Sequence, residues 1–115
     1  MDDLERVLPS TVTNAAMRSG QELVMPFEEA RCAIRVANEQ LIAILGVEVF
    51  RILESGLGVQ AFSGYGFSLA GNWEEYVRLN NDAALDFIGR NKMDEGYGYI
   101  LTAASEEEFN RLQAR

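Results

Sequence analysis

A chain of 115 residues holds one hydrophobic core and one domain, and 48% hydrophobic with 24% charged residues is an ordinary globular composition. Eighteen acids against ten bases leave a net charge of -8, shared evenly: residues 1–57 and 58–115 each hold nine acids and five bases, 5 - 9 = -4 apiece. Such a surface repels nucleic acid and anionic membrane, so no nucleic acid and no membrane is expected as partner; the charge serves solubility, and any charged partner is expected to be basic.

The opening Met-Asp-Asp-Leu-Glu has no basic region followed by an apolar one, and the apolar runs are too short to span a bilayer. A cytoplasmic location is therefore expected. Cys32 is the one cysteine, which leaves neither a disulfide framework nor a multi-cysteine metal site; it reads as a small space-filling hydrophobe.

Asp2 or Asp3 can cap a short helix carrying Leu4, Val7 and Leu8, which Pro9 ends because a proline pushes the preceding residue out of the α region. Ser10 and Thr11 offer a second cap, for a helix expected to run through Ala15, Ala16 and Met17 and to stop at Gly20. Gln21 to Met25 reads as extended. Residues 1–25 thus form a helical and extended segment packed on the core of a single domain, 1–115.

Pro26, with Glu28 and Glu29 behind it, opens a helix to about Gln40 whose Phe27, Ala30, Ile34, Ala37 and Leu41 lie on one buried face. The run Leu41 to Leu53 is rich in β-branched residues and reads as the central strand, with Gly46 as an entry or bulge. Glu54-Ser55-Gly56 is a turn, and Leu57 to Phe62 alternates as the second arm of a hairpin. Ser63-Gly-Tyr-Gly-Phe67 either continues that strand or leaves it as an aromatic loop, and Ser68 to Gly71 connects onward.

Asn72, with Glu75 three residues on, starts a helix to about Arg90 that carries Trp73, Tyr76, Val77, Ala84, Phe87 and Ile88 on one face, Asn80 among them. Asn91 to Gly96 is a polar turn and Tyr97 to Thr102 a third strand. Ser105 before Glu106, Glu107 and Glu108 caps a last helix holding Phe109 and Leu112. The whole is α+β, a small antiparallel sheet of order 2-1-3 with helices packed on it.

Histidine is absent, which removes the usual general base, the Ser-His and Cys-His arrangements and the commonest metal ligand. The carboxylate pairs Glu74/Glu75 and Asp82/Asp86 and the run Glu106 to Glu108 stand where helix starts and solvated faces carry acids, and Gly56-Leu-Gly58 and Gly64-Tyr-Gly66 lack the rest of any phosphate-binding pattern. No enzyme activity, catalytic residue, metal or cofactor is expected. Asn80 needs hydrogen-bond partners inside its apolar stripe and reads as a structural clamp on the hairpin end or the Ser63–Phe67 loop. Phe62, Tyr65, Phe67, Trp73, Tyr97 and Tyr99 gather aromatics around the hairpin end and third strand, where core packing competes with a protein-binding surface.

Ile44-Leu-Gly-Val-Glu-Val-Phe50, Ser63-Gly-Tyr65, Trp73 leading into Tyr76-Val-Arg-Leu-Asn-Asn81, and Gly98-Tyr-Ile-Leu-Thr102 together resemble an α+β immunity-protein family of bacterial polymorphic toxin systems, over roughly residues 27–109. Val47 and Glu48 stand where that family tends to carry a second glycine and an aspartate, which leaves the toxin class open. The resemblance implies a cytoplasmic, non-enzymatic protein that binds and blocks a cognate toxin domain. Its binding surface is expected near Glu48, Glu54, Tyr65 and Trp73. The competing readings are a small ligand-binding or enzymatic domain with a pocket around Asn80 and Tyr65, and an adaptor subunit.

Overall fold

In the computed structural model, which describes residues 2–19, 22–53, 56–65, 72–93 and 96–113, the chain folds as α+β. Helix α1 (Asp2–Val7) and helix α2 (Ser10–Ala15) meet at Pro9, whose extended backbone (φ -61°, ψ 152°) is the N-cap of α2 and whose carbonyl accepts from the Val12 and Thr13 N–H groups. Helix α2 is shorter than expected. Ala16 is already extended, and Met17–Ser19 (β1) pairs antiparallel with Glu22–Val24 (β2), Met17 opposite Val24. Thr11, Val12 and Thr13 are poor helix formers, and pairing in a hairpin that buries Leu23 and Val24 outweighs another turn of helix. Gly20, the expected helix stop, lies outside the described residues.

Helix α3 (Phe27–Glu39) starts at Pro26 with Glu28 and Glu29 in its first turn and buries Ala30, Ala33, Ile34 and Ala37. Strand β3 (Ala43–Leu53) begins two residues later than the apolar run suggests, because Leu41 and Ile42 close α3. Strand β4 (Gly56–Tyr65) takes Ser63 to Tyr65 into the ladder, where Tyr65 lies opposite Gly46; Phe67 lies outside the described residues. Helix α4 (Trp73–Arg90) is capped by Asn72, whose Oδ1 accepts from the Glu75 N–H at 2.8 Å. Strand β5 (Tyr97–Ala104) leads to α5 (Glu106–Gln113), where Ser105 Oγ accepts from the Glu108 N–H at 3.2 Å. On the exposed side of α4, Arg90 donates to Asp86, a pair open enough to water to contribute little.

The sheet runs β4-β3-β5, with β3 antiparallel to both neighbours. Alternation along β3 buries Val47 and Val49, which lie opposite Leu101 and Tyr99 of β5; α3 and α4 cover these residues through Ala33, Ile34, Ala37, Ala84 and Ile88, and Leu4, Leu8 and Val12 close the same core. Beyond β5, Met25 exchanges both backbone hydrogen bonds with Tyr99 at 2.8 Å, which ties the β1–β2 hairpin to that margin of the sheet. A second, smaller cluster joins Ala43, Ala104, Tyr76, Val77 and Phe109, with Trp73 and Leu45 against it.

Candidate protein-binding surface

Every helix leaves its last carbonyls without intrahelical partners, and α3 satisfies its own with a Schellman motif. The Ile42 N–H donates to the Ala37 carbonyl at 2.8 Å and the Leu41 N–H to the Asn38 carbonyl at 3.3 Å. The motif needs a left-handed residue at its turn, and the residue there is Leu41, with φ 57°. Glycine is the usual occupant, since a side chain in this conformation costs about 1–2 kcal/mol. Leu41 is also 44% exposed, so burial of its side chain offsets little of that cost.

Two side chains of α4 hold this corner. The Trp73 indole N–H donates to the Leu41 carbonyl at 2.8 Å. The fully buried Asn81 bridges the start of β3: its Oδ1 accepts from the Ile44 N–H at 2.8 Å, and its Nδ2 donates to the Ile42 carbonyl at 3.0 Å and to Asn38 Oδ1 at 3.4 Å. The ladder with β4 is described as far as the Gly46–Tyr65 pair, and on the stretch before it the Asn81 amide pairs with the β3 backbone much as another strand would.

Around Trp73 the rings of Tyr76 and Phe109 lie 5.3 and 5.4 Å away, themselves 5.2 Å apart. The aromatic triad welds the start of α4 to α5, and each helix brings the acids of its first turn: Glu74 and Glu75 directly after Trp73, Glu106 and Glu107 just before Phe109, all four exposed. The corner therefore presents an exposed leucine and a half-buried tryptophan, with carboxylates following from two helix starts.

Of the residues expected to form the binding surface, Trp73 stands here. Glu48 is half-buried in the middle of β3, opposite Ser63 on one side and Ile100 on the other. Tyr65 ends β4 opposite Gly46, two register positions from Glu48, while Glu54 and the Tyr65 side chain lie outside the described residues. Leu53 is seven residues from Gly46 along β3, about 23 Å at strand rise, so the two ends of the hairpin cannot share one small patch. Asn80 is buried as expected, at 1% exposure, and its Nδ2 donates to the Tyr76 carbonyl of its own helix at 2.9 Å; the hairpin end and residues 66–67, which the expected clamp would hold, lie outside the described residues. Its neighbour Asn81, which the sequence reading missed, reaches across to Ile42 and Ile44.

A cleft of about 380 Å³ lies elsewhere, between the start of α3 and the start of β5, and Asn80 is not among the described residues that line it. Lys92 Nζ sits 4.9 Å from the centre of the Phe27 ring, which meets Tyr99 edge to face at 5.8 Å. The Tyr99 hydroxyl accepts from the Met93 N–H at 3.0 Å and faces the Asn91 carbonyl at 3.4 Å. Burial raises the pKa of Tyr99, partly opposed by the Met93 N–H, and burial raises that of Tyr76. Both rings resist ionisation more in the folded than in the unfolded chain, so their contribution is fully present below the unfolded value of about 10 and is lost as pH rises through the higher folded values. Denaturation midpoints are therefore expected to fall above about pH 10, and less so in a Tyr76→Phe/Tyr99→Phe variant. Equal slopes in the two proteins would refute the assignment.

Among the described residues no three or more acidic or cysteine side chains stand where they could hold a metal ion, and no helix is long and apolar enough to cross a membrane. Compared with known protein families, curated proteins and solved structures, the chain matches none of them.

Proposed function

We propose that this chain is an immunity-type protein, which acts in the cytoplasm by binding a cognate toxin domain and covering its working surface without catalysing anything. The reading starts from the residue pattern spread over residues 27–109, and one structural observation carries it: Leu41. Stability alone favours glycine at a Schellman turn, yet a large apolar side chain stands there, strained and exposed, beside Trp73. Strained backbone clusters at functional sites, and an exposed apolar side chain held there suits a contact surface. Leu41 and Trp73 are the anchors of that surface, and Glu74, Glu75, Glu106 and Glu107 its acidic rim. An apolar centre within an acidic rim suits a basic partner, whose approach the net charge of -8 would steer.

The test is co-expression with the toxin domain encoded next to this gene, followed by binding kinetics. Protection and a co-purifying complex are expected, with an association rate that falls as salt rises and a dissociation rate that changes less. Leu41→Gly separates binding from folding: relief of the left-handed strain offsets the added flexibility of the unfolded chain, so stability holds or rises slightly while affinity drops at least tenfold. Failure to protect against any adjacent toxin would remove the immunity reading. Unimpaired binding by Leu41→Gly would remove this surface from it.

A further inference from the structure

The two margins of the sheet are treated differently. Beyond β5, Met25 occupies the Tyr99 backbone, and the short β1–β2 hairpin that follows carries Arg18 and Glu22. At the other end, β4 is a ten-residue strand paired, among the described residues, with β3 alone. Edge strands in soluble proteins are kept from pairing by charges, prolines or bulges. Strand β4 contains neither charge nor proline, and no charged residue occurs anywhere between Glu54 and Glu74. Its register irregularities fall between Val49 and Ile52 of β3, whereas Phe62 to Tyr65 run in unbroken register with Val49 to Gly46.

We propose that the Phe62–Tyr65 segment of β4 pairs with the same segment of a second copy, antiparallel across a twofold axis, joining two three-stranded sheets into one of six. Charge selects this occupant. With a net charge of -8 on each chain, most approaches of two copies set like charges against each other, while a β4–β4 seam sets neutral strand against neutral strand. Backbone pairing needs no complementary side chains, and a twofold axis closes the assembly at two copies. The same neutrality gives a basic partner no reason to choose β4, so this seam is independent of the Leu41–Trp73 surface.

The remaining charges still repel across the dimer, so salt tightens it, the reverse of its expected effect on a basic toxin. Sedimentation equilibrium of the whole chain over a concentration series, at low and high salt, is expected to show a monomer–dimer equilibrium that shifts to dimer with salt. Amide exchange at Phe62 to Tyr65 is expected to slow as concentration rises. Ser63→Lys puts a charge on the seam in register with Glu48, a cross-strand opposite charge that keeps the fold, and is expected to weaken dimerisation at least tenfold. A monomer at every concentration and salt overturns the proposal, as does a dimer indifferent to Ser63→Lys with unchanged exchange at these amides. A monomer whose Ser63→Lys variant loses toxin binding overturns it too, and assigns the edge to a strand of the toxin.

Discussion

Asn81→Ala is expected to lower folding stability by about 3 kcal/mol, read as a shift of the denaturation midpoint with unchanged slope. The side chain is fully buried and pairs with two backbone groups, the Ile44 N–H of β3 at 2.8 Å and the carbonyl of Ile42, just before β3, at 3.0 Å. Truncation to Ala leaves both where no water reaches, and each buried unpaired group costs about 1–3 kcal/mol. Asn81→Asp is a sharper probe: it keeps the acceptor for Ile44 but sets a carboxylate oxygen against the Ile42 carbonyl, so it should destabilise as well despite equal size. A loss under about 1 kcal/mol in either variant would mean that the amide does not hold the corner.

What the sequence made legible follows the strength of local signals. Helices α3 and α4 announced themselves by apolar spacing, α3 also by Pro26 and the acids behind it and α4 by the Asn72 cap, which stands as its spacing predicted. Strand β3 was legible as the longest β-branched run. Strand β2 was legible only as the extended stretch Gln21 to Met25 and β1 not at all: three residues each carry no period, and their pairing depends on contacts that the local sequence does not contain. The interior amide was half legible. Asn80 attracted notice because it falls in phase with Trp73, Tyr76 and Val77, yet Asn81 is equally in phase with Val77, Ala84 and Ile88, all buried. Only the placement of β3 beside α4 shows that Asn81 spans the gap to Ile42 and Ile44. The candidate surface was legible at Trp73 and hidden at Leu41. A Schellman turn is sought in sequence through its glycine, and the corner has none; the left-handed leucine became visible only as a dihedral angle. Glu48 and Glu54 were chosen as acids near aromatics, a criterion blind to the half-burial that β5 and β4 impose on Glu48.

Gly98→Ala is expected to destabilise the chain by about 1–3 kcal/mol although it adds a single methyl group. A Cβ at Gly98 would stand 2.3 Å from Val24 Cγ1 and 3.1 Å from Ile52 Cδ1. Val24 is 1% exposed, and its Cγ1 is bonded directly to a branched Cβ with few rotamers, so it cannot swing aside. Nor can β2 retreat freely, because Met25, next to Val24, is bonded through both backbone groups to Tyr99, next to Gly98. Relief must come from parting the hairpin from β5, so amide exchange at Met25 and Tyr99 should quicken in the variant more than exchange in α4. A second substitution tests the cause: Val24→Ala removes the clashing methyl, and Gly98→Ala/Val24→Ala should be more stable than the sum of the two single losses allows, whereas strict additivity would refute the clash. Gly98 pairs with Phe50, seven residues along β3 from Ala43 and about 23 Å from the Leu41 corner, so folded Gly98→Ala should leave binding of the proposed partner unchanged while Leu41→Gly does the reverse.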